Sequence, residues 1–457
     1  MDINTINSYL DSHRSEHLAA LTAWLRIPSI ANNKDGACDR AAAWVAGALE
    51  ALGAAVRVIA TSCQPVVLGR RHVRDGAPTL LIYGHYDVQP AEPLGPWLSP
   101  PFEPVVRDGW LYARGADDDK GQTFTYMMAL EAFVRTGTPL DVNLIFLIEG
   151  DEEIGSPPLE AFLRDHQAEL ACDAIFISDS RFFAQGTPSI TTALRGVSNG
   201  EFTITEANQD VHSGMYGGVL RNPLHAACEI VAALRDVDGR VAVPGFYDDV
   251  DPLSEADRQA WAKLPFDERA MAAELGLSTL GGGEKGFSVL ERNWARPCLD
   301  VNGIVGGYAG PGGKTVIPSR ATVKFSYRAV PRQDPRRIMQ AVRQFVTERV
   351  PEGMTVEFDI GPMNPPVVLR QDTDAMHAAR AALRDVFGKE ATMIRCGASV
   401  PVAEMFQRIL GRDAVMMGFG LPEDNLHGPN EKFMLEQLYQ GAKAVAATWM
   451  NLAATPG

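Results

Sequence analysis

The sequence predicts an α/β protein: a mainly parallel sheet with helices, interrupted by a smaller inserted α+β domain of β-α-β-β-α-β order. Three observations predict it. Short, nearly continuous apolar runs at 80–83, 142–148, 174–177 and 414–417 end abruptly in histidine, acidic residues or glycine, as strands buried on both faces do. Between about 195 and 366 the pattern changes to alternation. There Phe202 and Ile204 oppose Thr203 and Thr205, and Ala321, Val323, Phe325 and Tyr327 oppose Thr322, Lys324, Ser326 and Arg328. This is the signature of antiparallel strands with one wet face. From 373 the chain returns to helix, strand, loop and helix, so 1–194 and 367–457 are expected to form one domain around an inserted domain at 195–366.

The elements follow in order. Asp2, Asp11 and Glu16 among the apolar positions of 1–30 read as an amphipathic helix, not an export signal. A helix over 40–52 stops at Gly53 and leads into strands at 55–59 and 66–68. In the insertion, helices are expected at 223–235 and 335–349. The polar, partly helical stretch 236–300 between them has no place in the expected order.

Composition narrows the partners. With 42 basic residues against 57 acidic ones the formal charge is −15, which repels phosphate backbones and anionic lipid, so neither nucleic acid nor a membrane is expected. No apolar run approaches the ~20 residues that span a bilayer. The six cysteines lie far apart with no CxxC pair, which supports neither a disulfide framework nor a structural zinc knuckle. A cytoplasmic location is the resulting expectation.

In a parallel sheet, ligands bind beyond the carboxyl ends of the strands, which is where the reactive residues of this chain fall. His85 and Asp87 stand two residues apart after the first run, a spacing at which the acid can orient the ring. Alone, such a pair reads as a polar loop. Asp117-Asp118-Asp119 between Gly115 and Gly121 would ordinarily be a solvated charge run; beside a metal it is a carboxylate source. Glu149-Gly150-Asp151-Glu152-Glu153 places four acids at one strand end, a costly concentration of like charge unless a cation is present. Two adjacent glutamates can divide the labour, one binding metal and the other acting as general base. With Asp179 and His427 the set holds two His, two Asp and one Glu. It suits two zinc or manganese ions about 3.5 to 4 Å apart with one bridging carboxylate.

The motifs GHYDVQP, RGADDDKG, EGDEE, ISDS, DVHSGMYGG, KTVIPSRATVKFSYRAVP, RCGASVP and NLHGPNEK occur in this order over nearly the whole chain. Together they resemble the co-catalytic zinc metallopeptidases that include carnosinase and other dipeptidases, aminoacylase, succinyl-diaminopimelate desuccinylase and glutamate carboxypeptidase, with the dipeptidase branch nearest. The resemblance implies a catalytic domain, with the insertion as a lid and dimerisation domain. It implies two divalent metals per subunit, zinc first and manganese second: His85 and Asp179 on one, Glu153 and His427 on the other, Asp118 bridging. Asp87 would orient His85, and Glu152 would be the general base. His212, which spacing alone would leave as a surface or core histidine, becomes the lid residue that stabilises the oxyanion in the neighbouring subunit of a homodimer. Arg328, otherwise a solvated strand residue, becomes the clamp for a substrate carboxylate, a task suited to a bidentate guanidinium. Thr315 and Ser399 resemble further substrate contacts, with Gly397 permitting close backbone approach.

Two positions depart from the family's pattern. Asp119 stands where the dipeptidases often have Asn, adding possible negative charge, and Cys396 where an acid is common; the latter is expected to be a buried small hydrophobe or, as the second reading, an oxidation-sensitive neighbour of the site. His13, His17, His72, His166, His225 and His377 lack acidic strand-end company and are expected to be structural. The implied activity is hydrolysis of dipeptides or short peptides with a free C-terminal carboxylate: Glu152 deprotonates the attacking water and returns the proton to the departing amine. The alternative, with the same metals, is an N-acyl-amino-acid deacylase or desuccinylase. A scaffold is disfavoured because every ligand position is filled, and a two-metal phosphoesterase because the chain is acidic with a single candidate clamp.

Overall fold

A computed structural model describes residues 2–454 of the protein; residue 1 and residues 455–457, at the outer ends of the expected domain ranges, lie outside the described residues. Two compact units are present. The first combines the chain up to Thr192, Leu369–Ile394 and the chain from Pro401; the second combines Ala193–Val368 and Arg395–Val400.

The sheet of the first unit runs in the order Ala55–Ile59, Val66–Arg71, Asn143–Glu149, Thr79–His85, Ala174–Ile177, Ala414–Met416, Ser189–Leu194. Its four central strands, 143–149 to 414–416, are parallel, and they are the four apolar runs of the sequence. The outer pairings are antiparallel, so the sheet is mixed rather than uniformly parallel. Only six residues join 55–59 to 66–71, too few for the crossover that parallel pairing requires. The expected single N-terminal helix is two, Ile3–Ser12 and Arg14–Leu25, broken at His13, whose ring bonds back to the Tyr9 carbonyl. Helix Lys120–Thr136 is buried along most of its length and packs against Leu435–Ala453. Its front end carries the acidic run.

In the second unit an antiparallel sheet runs Cys298–Gly306, Arg320–Ala329, Gly196–Thr205, Thr355–Asn364. With helices Pro223–Ala233 and Pro335–Thr347 it has the β-α-β-β-α-β order that the alternation predicts. Ala321, Val323, Phe325, Tyr327 and Ala329 all face its core, with Ile230, Val342 and Phe345 from the helices. The stretch 236–300 forms three short helices, Glu255–Ala262, Glu268–Glu274 and Val289–Ala295, capped by Ser254, Asp267 and Ser288. They are anchored by the edge-to-face rings of Trp261 and Trp294 and by Glu284 held between Arg240 and Arg296.

Phe202, fully buried on a central strand with its ring centroid 6.2 Å from both Phe325 and Phe358, is a sensitive point of this core. Phe202→Ala should cost about 3–5 kcal/mol by leaving a cavity that the sheet cannot close. The shift is read from the denaturant midpoint at constant slope.

Candidate metal centre

The register of the parallel strands assembles the site. His85 lies opposite Glu149, so two strands end level, and the third ends at Ile177 opposite Tyr83, two residues earlier. Just past these ends come Asp87, the turn at Glu152–Ile154, and Asp179. The Tyr86 amide donates to the Glu149 carbonyl (2.8 Å), carrying the pairing one residue past the strand. Gly84 is required here: a Cβ would lie 1.9 Å from the Thr123 hydroxyl of the crossing helix. That helix starts at Lys120, so Asp117, Asp118 and Asp119 sit at its positive end, where negative charge is favoured.

Six side chains form two groups, His85 with Glu152 and Asp179, and Asp118 with Glu153 and His427; within each group the ligand atoms lie within 4.8 Å of one another. Asp118 faces both. Its Oδ1 is 3.1 Å from His85 Nε2 and its Oδ2 is 3.0 Å from His427 Nε2. His427 Nε2 is also 3.3 Å from Glu153 Oε2, which accepts a hydrogen bond from Gln89 (2.8 Å). Buried Asp87 lies behind His85, with Oδ1 3.3 Å and its carbonyl 3.1 Å from Nδ1, and its carboxylate accepts the backbone amides of Glu152 and Glu153. One acid thus orients the ring and fixes the turn that carries both glutamates.

The residues suit divalent cations. His85 Nε2 is buried and makes no well-aligned hydrogen bond, although a carboxylate oxygen stands 3.1 Å away. A buried imidazole nitrogen free of a hydrogen bond, among carboxylate oxygens, is a donor set for zinc or manganese. Glu152, expected as a free base, lies within the His85–Asp179 group.

The electrostatics show what the carboxylates cost without a cation. Burial, with the charge of Asp118, pushes Asp179 up to about 7. Burial, with Asp179 and Asp118, pushes Glu152 well above the usual carboxylate range. Burial opposes ionisation of Asp118 too, but the hydrogen bond from His427 and the nearby imidazole of His85 outweigh it and hold that carboxyl low. Hydrogen bonds to Asp118 and Glu153 raise His427 to about 10. Asp119 accepts from the His85 amide and the Thr123 hydroxyl (2.7 Å), while burial followed by repulsion from Asp179 pushes its carboxyl well above the usual range.

The remaining candidates lie in the second unit. The two-residue strand Val211–His212 pairs with Val316–Ile317, bringing exposed His212 to 3.5 Å from the Thr315 hydroxyl. Half-buried Arg328 donates to the Ser399 hydroxyl (3.1 Å) and forms no ion pair among the described residues. At Gly397 a Cβ would lie 2.5 Å from Asn293 Oδ1, so the close approach is to a side chain of the 236–300 stretch. Cys396 is half-buried, not buried as expected, because it ends the strand Thr392–Cys396. Sequence reasoning missed Arg195, whose Nε donates to the Gly397 carbonyl (2.9 Å) and whose carbonyl accepts from Ser399. It also took Arg114 and Glu431 only as letters of their motifs. Glu431 receives the Arg114 guanidinium (2.8 Å) and three backbone amides of the acidic loop.

Residues 81–451 match the peptidase family M20/M25/M40. Human Beta-Ala-His dipeptidase is 32% identical over an alignment covering 99% of this chain and 93% of that protein. The Cys-Gly metallodipeptidase of Candida albicans is 31% identical over 83% of this chain and 80% of that one. Among solved structures, an M20 family metallo-carboxypeptidase from Sulfolobus solfataricus superposes with a TM-score of 0.86 at 31% identity, covering 96% of this chain and all of that one.

Ligation requires His427 and Asp179 without their protons. At neutral pH, His427 (about 10) is protonated and Asp179 (about 7) is half-protonated in the metal-free chain. Zinc binding should therefore release protons, and affinity should rise from about pH 6 to about pH 9. Calorimetry in buffers of different ionisation enthalpy measures both; an affinity flat over that range would contradict ligation by His427.

Proposed function

The chain belongs to peptidase family M20/M25/M40, and from that premise we propose that it is a dinuclear metal-dependent dipeptidase acting on small peptides with a free C-terminal carboxylate. The observation that carries this reading is Asp118, with one oxygen toward each of the two imidazoles, His85 and His427. A carboxylate so placed is what a bridged pair of cations needs.

Zinc is the first choice of metal and manganese the second, since both accept imidazole and carboxylate. When bound, such ions polarise a carbonyl and acidify water. Glu152 is assigned the proton: it takes one from the attacking water and returns it to the departing amine. Burial beside other acids supports this, because it favours the protonated carboxyl that can return a proton to the amine. Arg328 is assigned the substrate carboxylate, supported by its lack of an acidic partner among the described residues. Ser399 and Thr315 are assigned to substrate contacts and Gly397 to shaping the backbone there.

His212 is assigned the oxyanion, acting from one subunit on the other. A homodimer through the second unit is supported by its edge strand Cys298–Gly306, on which Val301, Ile304 and Val305 are exposed. A cytoplasmic location is supported by six cysteines that are all free. No helix among the described residues is long and apolar enough to cross a membrane.

Glu152→Ala should keep two zinc ions per chain while kcat falls by about 10²–10⁴-fold, the usual contribution of a general base. Metal analysis beside steady-state kinetics tests it; near-normal turnover would remove Glu152 from this role. Arg328→Met should raise KM for free-carboxylate dipeptides by about 10- to 100-fold, from loss of charge-assisted bonds worth about 1.5–3 kcal/mol. C-terminally amidated dipeptides should be unaffected. The reaction class is tested with dipeptides beside their N-acetylated forms. Cleavage of the free-amine set alone supports the dipeptidase; release of acetate alone would move the chain to deacylation.

A further inference from the structure

Behind the ligands lies an ion pair that belongs to neither metal group. Glu431 is fully buried and Arg114 almost so. Glu431 Oε1 accepts the amides of Asp117 (3.0 Å) and Asp118 (3.1 Å), and Oε2 accepts the Gly115 amide (2.9 Å) and Arg114 Nη1 (2.8 Å). All four partners are donors, so an ionised carboxylate is the species that fits. The other arm of the guanidinium, Nη2, donates to the His427 carbonyl (3.1 Å) and the Pro90 carbonyl (3.2 Å). One ion pair thus gathers the segment after His85, the acidic loop and the segment of His427.

A buried ion pair adds little net stability, because desolvation offsets most of the attraction. What this one determines is geometry. It grips the amide of Asp118, which faces both groups, and the carbonyl of His427, which belongs only to the Asp118–Glu153–His427 group. His85 is held by other means, its amide by Asp119 and its ring by Asp87. We propose that the Arg114–Glu431 pair is a positioning device that acts chiefly on the second cation, because through His427 it sets the affinity of the Asp118–Glu153–His427 group more strongly than that of His85 and Asp179. The proposal rests on the two-cation reading given above.

Glu431→Gln is the discriminating variant. A carboxamide presents one acceptor oxygen, so whichever way it turns its NH2 faces two donors, and two of the four hydrogen bonds are lost. The metal-stripped full-length chain and this variant are titrated with zinc alone, followed by calorimetry and a competing chromophoric chelator. The expected result is two sites in the unaltered chain; in the variant, one site should stay within about threefold and the other weaken about 10- to 100-fold, the usual effect of losing a residue that orients ligands. Two undisturbed sites in Glu431→Gln would overturn the inference and leave the two-cation reading standing, and so would equal weakening of both sites, which marks a merely structural role. Fewer than two sites in the unaltered chain would overturn the reading itself, and the inference with it. Arg114→Lys keeps the charge beside Glu431, but a single ammonium cannot reproduce the fork that reaches both Glu431 and His427. It should show the same selective loss and carries the test if Glu431→Gln fails to fold; failure of both to fold would overturn the proposal.

Discussion

Parallel pairing of Thr79–His85 with Asn143–Glu149 on one side and Ala174–Ile177 on the other is the constraint on which the centre depends. Strands apolar on both faces can lie only inside a sheet, and in a parallel arrangement their carboxyl ends share one edge. Three separate stretches of chain therefore deliver an imidazole and several acids to one place. A shift of register by one residue would turn every side chain to the opposite face and scatter the ligands. Gly84, against the Thr123 hydroxyl, ties this register to the helix that follows Asp118.

Crowding acids at a sheet edge has a price, and the surroundings distribute it. The helix beginning at Lys120 turns its positive end toward the acidic run, Asp87 and Glu431 receive backbone amides, and Asp118 is held ionised by two imidazoles. What is left over appears on Asp179 and Glu152, whose carboxyls are pushed up by burial and by the charges of Asp118 and Glu153. The two groups also differ in exposure: His85 is fully buried, whereas His427 lies on an exposed loop. Such asymmetry gives two cations in one centre different access to solvent.

Much of this was legible from the sequence because the relevant signals are local. Buried strands announce themselves as apolar runs that stop at polar residues, and the inserted sheet announces itself by alternation from Ala321 to Ala329. The acids and histidines at the ends of those runs are the ones that the structure gathers. Signals that depend on distant partners were not legible. The three helices of 236–300 are short, and their anchors, such as Trp261 on Trp294 and Glu284 between two arginines, are pairings that periodicity does not encode. The antiparallel pairing of 55–59 with 66–71 follows from the length of a connection, not from hydrophobicity. Arg114 and Glu431 are 317 residues apart, and nothing near either of them names the other.

The chain's route has a consequence for its synthesis. Asp118 and His427, in contact at 3.0 Å, are separated by 309 residues, and the whole second unit is made between them. As the chain emerges from the ribosome, His85, Asp118, Glu152, Glu153 and Asp179 are present long before their last partner. During that interval the nascent first unit holds an unneutralised cluster of acids at an incomplete sheet, whose strand Ala414–Met416 has yet to arrive. Contacts of such long range form late, so the cluster must wait, solvated or shielded by a passing cation, until the final stretch of chain closes over it.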